Sequence, residues 1–165
     1  MNTLGVNCYV KDGLGHLVVV ALLNNNNVSI HVFKSPSIFS FSNNSAEILN
    51  WHKDNVLSLL SFYNIDAFSV KKTETNSQGL RLKKSEIFKS YMEGTMLSLA
   101  GSNGIKNNHY YTNDIKTILD EGDVLLNVTQ IASKYNLKIS DTILASNEEK
   151  VRNALLSALS IQKNN

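Results

Sequence analysis

A chain of 165 residues, 42% hydrophobic and 18% charged, has the size and apolar content of a single domain with one sizeable core. Its formal charge of +2 and pI near 8.6 are too mild to argue for nucleic acid, which is read from a clustered patch rather than a slight excess. The single cysteine, Cys8, excludes an intrachain disulfide and a thiolate metal cluster, and the longest apolar run, Leu17 to Leu23, is far short of the roughly 20 residues of a membrane span.

No basic segment leads the N-terminus into a long apolar run, so a soluble, cytoplasmic protein without a membrane partner is expected. The glycosylation-type triplets at Asn27, Asn43 and Asn127 are then chance products of an asparagine-rich composition. Cys8, flanked by Val6 and Val10, reads as a small buried hydrophobe.

In chain order, Thr3 to Val10 is apolar and β-branched enough for a strand, and Asp12-Gly13 supplies hairpin-turn chemistry. "HLVVVALL" predicts a buried second strand. Asn24 to Asn27 suit left-handed turn conformations, and in "VSIHVFK" the alternation of Val28, Ile30 and Val32 predicts a third strand. These three make an antiparallel meander. After Pro36, the only proline, Ser45 is the predicted N-cap of a helix to about Tyr63 with an apolar face of Ile48, Trp51, Val56, Leu59, Leu60 and Tyr63.

"IDAFSVKKTE" returns to strand character, and a strand after a helix after a meander predicts a parallel crossover. Thr75 to Leu82 form a polar, glycine-containing loop. Ile87, Phe88, Tyr91, Met92, Met96 and Leu99 recur at helical spacing, and Gly101 and Gly104 stop that helix. "NHYYT" is a short strand, and Thr112 caps a short helix to Leu119. Val124 to Tyr135 read as one amphipathic helix, and Ser146 with Glu149 forms a capping box ahead of a helix carrying Val151, Ala154, Leu155, Ala158 and Leu159.

Asn7 is the anomaly of the first strand. A buried amide needs partners for its donors and acceptor, so an aliphatic residue would suit a plain core better. Asn7 therefore faces either a site in the middle of the strand or solvent at an edge.

The order of three strands, helix, strand, helix, strand and further helices resembles the ribonuclease H-like fold, more narrowly its RuvC-type branch. The resemblance is carried by "LGVNCYVKDG", "IDAFSVKKTETNSQGLRLKKSEIFKSYMEGTMLSLA" and "EEKVRNALLSALS", and a group of uncharacterised bacterial proteins has the same layout. It implies an α/β fold: a mixed sheet with an N-terminal antiparallel three-strand meander, then alternating helices and strands, with helices on both faces. Residues 1–165 form one domain, with room for a small helical insertion at about 121–145.

RuvC-type resolvases hold two divalent ions on carboxylates for phosphodiester cleavage, because hard cations need negatively charged oxygen ligands. Carried over by position, the first-strand acid falls on Asn7, the acid after the first helix on Lys71 or Lys72, and the last-helix acids on Lys150 and Asn153. None is acidic. The resemblance thus implies a degenerate site with no cofactor, and non-catalytic binding of nucleic acid or of a nucleic-acid-processing protein.

Two rival readings come from the residues themselves. Glu74, by strand alternation with Lys72, and Glu149, with Asp12, would make a relocated carboxylate site for Mg or Mn and hence a divergent nuclease, although capping and turn chemistry account for the last two. A structural, self-associating domain would use a sheet edge or apolar helix face, and a homo-oligomer would follow. For nucleic acid the candidate contacts are Lys71, Lys72, Arg81, Lys83 and Lys84, with Lys89, a basic run around a loop; Glu74 and Glu86 interrupt it. His16, His31, His52 and His109 lack metal-ligand spacing, and no nucleophile elbow, phosphate loop or dinucleotide fingerprint occurs.

Overall fold

The computed structural model describes residues 1–39, 43–72, 74 and 83–164. Three antiparallel strands, β1 (Thr3–Lys11), β2 (Leu14–Leu22) and β3 (Asn27–Lys34), open the chain. The β1–β2 turn needs only two residues because Asp12 and Gly13 both take positive φ, 52° and 74°, which matches the right-handed twist of a tight hairpin. The second strand consequently starts at Leu14, two residues before the sequence pattern suggests. Asn26, at φ 64°, supplies the left-handed step before β3.

Helix α1 (Ser45–Phe62) crosses to β4 (Ala67–Lys71), which pairs parallel with β1. Helix α2 (Lys84–Ser102) then leads to β5 (Lys106–Tyr110), parallel to β4, and α3 (Thr112–Ile118) follows. A 3-10 turn (Glu121–Leu125), α4 (Val128–Lys134), a two-residue strand β6 (Lys138–Ile139), a second 3-10 turn (Ala145–Asn147) and α5 (Glu148–Lys163) complete the chain. The sheet order is β5-β4-β1-β2-β3-β6, with β6 parallel to β3. Among the described residues no helix is long and apolar enough to cross a membrane.

Period-two alternation divides the sheet between two cores. Leu4, Val6, Cys8, Leu17, Val19, Phe68 and Val70 point to one face and are covered by α1 and α2. Val18, Val20, Leu22 and Ala67 point to the other, where Leu155 and Leu159 of α5, Ile115 of α3 and Ile131 of α4 cover them. The α/β architecture with a leading meander, a mixed sheet and helices on both faces is therefore present as expected.

Local details differ from the sequence pattern for identifiable reasons. Asn44, not Ser45, takes the N-cap position of α1. The core stripe of that helix is Ile48, His52, Val56 and Leu60, at strict four-residue spacing, so His52 enters the core while Trp51 stays half-buried. On α2, Ile87 and Tyr91 are exposed and Glu93 is 1% exposed, its charge met by Lys72 at 3.2 Å. Strand β5 ends at Tyr110, and Tyr111 rather than Thr112 caps α3.

The single helix expected over Val124 to Tyr135 is broken in two. Asp120 accepts from the Gly122 N–H at 3.2 Å and starts the 3-10 turn, while Asn127 and Gln130 exchange reciprocal 2.9 Å bonds that cap α4. Buried Asp123 accepts from Lys134 Nζ at 2.6 Å and from the Tyr135 hydroxyl, fastening turn to helix. Asn127→Ala removes one half of the capping box and is expected to cost about 1 kcal/mol. A urea unfolding midpoint equal to that of the unaltered chain would contradict it.

The capping box expected at Ser146 and Glu149 does not form. Residues Ala145–Asn147 wind into the 3-10 turn, Asn147 takes the N-cap position of α5 without a side-chain bond, and Glu149 pairs with Lys150 at 3.1 Å. Glu148 instead reaches back to accept from the Val128 N–H at 3.4 Å, at the start of α4.

Candidate functional site

Three elements converge where β4 ends beside the middle of β1, beneath the first turns of α5. Small residues permit it: a Cβ on Gly5 would overlap the Ala154 carbonyl, Thr3 Oγ1 donates to the Ala158 carbonyl at 3.3 Å, and Ser157 donates to Ser69 at 2.9 Å. The helix therefore lies almost directly on the sheet backbone. One pairing step further along β1, this close approach brings Asn7 beneath Lys150, whose carbonyl accepts from Asn7 Nδ2 at 3.4 Å.

Asn7 is 3% exposed and sits on a central strand, so it faces a site and not an edge. In the parallel register it stands opposite Lys71, on the same face. Lys72, the next residue, pairs with Glu93 at 3.2 Å. Glu74 does not share its face by alternation, because β4 ends at Lys71; it folds back to 3.8 Å from Lys71 Nζ and accepts from the Thr112 N–H at 2.8 Å.

A cleft of about 280 Å³ opens here, and Asn7, Lys71, Lys72, Lys150 and Asn153 all line it. Glu74 and Glu149 line it too, as do Lys89 from α2 and Arg152 from α5. Asp12 is not among the lining residues and remains the first residue of its hairpin turn. Lys83 and Lys84 are exposed at the start of α2, outside the cleft lining, and Arg81 lies outside the described residues.

Five basic side chains against two carboxylates make the lining cationic. Burial pulls Lys71 below the usual lysine range, and Glu74 only partly opposes it. Lys89 is lowered for the same reason, with Glu93 in partial opposition. Glu74 is held below the usual carboxylate range chiefly by its hydrogen bonding to Thr112. Lys150 lies over the Tyr9 ring at 5.9 Å, and Tyr9 stacks on His16 at 4.8 Å, so the rim beside α5 is aromatic as well as basic.

This donor set does not fit a pair of hard divalent cations. Such ions take most of their affinity from convergent anionic oxygens, whereas the amide of Asn7 is neutral and both cleft glutamates already face a lysine or a helix N-terminus. Among the described residues no group of three or more His, Cys, Asp or Glu side chains is placed to hold a metal ion. The arrangement suits an anion.

Sequence reasoning missed Arg152. Its signal lay in the same helix: Arg152 follows Glu149 by three residues and Asn153 by four, so all three share one side of the first turns of α5.

No protein-family model matches the sequence, and no curated protein is matched by it. Solved structures do resemble it in shape. A Thermus thermophilus RuvC in complex with Holliday junction substrate superposes with a TM-score of 0.69 at 16% identity, covering 99% of this chain and 93% of that one. A second T. thermophilus RuvC structure gives 0.64 at 17% identity, with 99% and 94% covered. The yeast mitochondrial Holliday junction resolvase gives 0.56 at 7% identity, with 98% and 77% covered. These likenesses lie in backbone geometry, and with the meander, crossover and closing helix described above they give this chain the ribonuclease H-like fold of the RuvC type.

Proposed function

We propose that the chain is a RuvC-type domain that binds nucleic acid through the cationic cleft and does not cut phosphodiesters by the two-metal route. One observation supports the reading: Asn7, Lys71, Lys72, Lys150 and Asn153, the positions onto which the resemblance carries the resolvase acids, share one cleft whose charge is predominantly basic. Lysine ammonium groups there supply the positive charge that bound metal ions would otherwise bring, and they attract phosphate without activating water. The likeness to resolvases, one of them solved with a Holliday junction, supports branched DNA as the first ligand to try.

A second reading is kept because Glu74 and Glu149 do reach the same cleft. It makes the protein a nuclease with relocated carboxylates using Mg or Mn. One experiment separates the two: labelled four-way junction, duplex DNA and RNA–DNA hybrid are incubated with the protein in manganese or EDTA, and shift and cleavage are scored on the same samples. A salt-sensitive shift with intact substrate is expected, with log affinity falling linearly against log salt. Manganese-dependent cleavage abolished by Glu74→Ala or Glu149→Ala would establish the relocated site instead. Absence of both signals would leave a protein-interaction or self-associating role.

A further inference from the structure

Within the cleft the cations are not equally committed. Lys72 is neutralised by Glu93 at 3.2 Å, Lys150 by Glu149 at 3.1 Å, and Lys71 donates to the Lys72 carbonyl at 2.9 Å with Glu74 at 3.8 Å. Lys89 and Arg152 enter none of the ion pairs among the described residues. Arg152 goes further: its Nε is buried and has no hydrogen-bond partner among the described residues.

A buried guanidinium N–H without an acceptor costs free energy that a folded chain ordinarily avoids, unless a ligand supplies the acceptor. Lys71 comes from β4, Lys89 from α2 and Arg152 from α5, so three separate elements deliver charge to one space. A guanidinium presents its N–H groups as a planar fork that fits two oxygens of a tetrahedral phosphate, and the two ammonium groups act as point charges around it.

We propose that this cleft is a phosphate-binding site in which Arg152 forks two non-bridging oxygens of one phosphoryl group while Lys71 and Lys89 hold its charge. The proposal rests on the nucleic-acid reading only for the source of the phosphate, which is a backbone phosphodiester there and a free phosphate otherwise. The depression of Lys71 and Lys89 by burial has the same meaning: both cations are partly stripped of water and gain from an incoming phosphate anion. The backbone frame of the site is held by the Asn7 bond to the Lys150 carbonyl and by the close packing of α5 on β1.

The test uses the full chain, Arg152→Met and Arg152→Lys, with Lys53→Ala on α1 as a control remote from the cleft. Melting temperature is measured in inorganic phosphate against chloride at equal ionic strength, and four-way-junction affinity is measured across a salt series. Phosphate should raise the melting temperature of the unaltered chain and the control by about 3 °C at roughly ten times its dissociation constant. Arg152→Met should lose that rise, weaken junction binding about tenfold and reduce the salt slope by about one. Arg152→Lys should fall between, and it serves the same comparison should the methionine variant not fold.

The two sources separate cleanly. A phosphate response lost in Arg152→Met, with no junction bound by any form, supports the site and removes the nucleic-acid reading. Junction binding with the same affinity and slope in the unaltered chain and Arg152→Met, with no difference in phosphate response, overturns the site and leaves that reading standing. Absence of both responses in the unaltered chain overturns the site as well.

Discussion

Gly5→Ala should lower the stability of the chain by about 3 kcal/mol or more and its melting temperature by about 10 °C. The methyl group would overlap the Ala154 carbonyl oxygen and stand 2.7 Å from the Ala158 nitrogen, and both are backbone atoms of α5. A flexible side chain could turn away; a helix backbone cannot. To admit the methyl, α5 must lift from β1, losing contacts made by Leu155, Ala158 and Leu159, all buried in that interface. The same displacement separates Lys150, Arg152 and Asn153 from Asn7 and Lys71, so ligand affinity should fall along with stability. Urea unfolding of Gly5→Ala with a midpoint and slope equal to those of the unaltered chain would refute the direct helix-on-strand packing.

This coupling shows why the sequence was legible in some places and mute in others. The meander could be read because its signals are local: Asp12-Gly13 fixes a two-residue turn and Val28, Ile30 and Val32 alternate. Gly5 gave no signal, since a glycine in a strand declares only that something passes close, and the helix involved lies about 150 residues further on. Glu93 was unreadable for a similar reason. It interrupts an apolar helical stripe, and its pairing with Lys72, just past the end of β4, helps make its burial tolerable.

The site was half visible. Resemblance placed Asn7, Lys150 and Asn153 together, but that Lys71 stands opposite Asn7 follows from the parallel pairing of β1 with β4, which no local pattern carries. Arg152 carries no signal of its own in the sequence, since a lone arginine in the first turns of an amphipathic helix reads as a solvated face. The two-residue β6 is too short for any periodicity, and the Ser146–Glu149 signature lost to competing partners, Val128 for Glu148 and Lys150 for Glu149.

Acid should destabilise the fold well before its carboxylates are protonated, and His52 should account for the largest single share. Its ring is fully buried in the stripe of α1, beside Trp51 and against the backbone of Gly15 of β2. Burial pushes His52 down from 6.5 to about 4; the Gly15 backbone opposes this in part, and His16 adds to it. The unfolded chain therefore takes up a proton between pH 6.5 and 4 that the folded chain refuses. Stability from the neutral ring is complete above pH 6.5 and is lost as pH falls through about 4, a change of about 3 kcal/mol. His16 and His31 are also lowered by burial and add slope of the same sign, so the comparison must be made by difference. His52→Leu replaces the buried ring with an apolar side chain of similar size, and it should hold its stability at pH 7 while flattening the curve between pH 6.5 and 4. Parallel stability curves for the two proteins across that window would show that His52 is protonated as readily in the fold as out of it, and would remove the buried neutral ring from the account of this core.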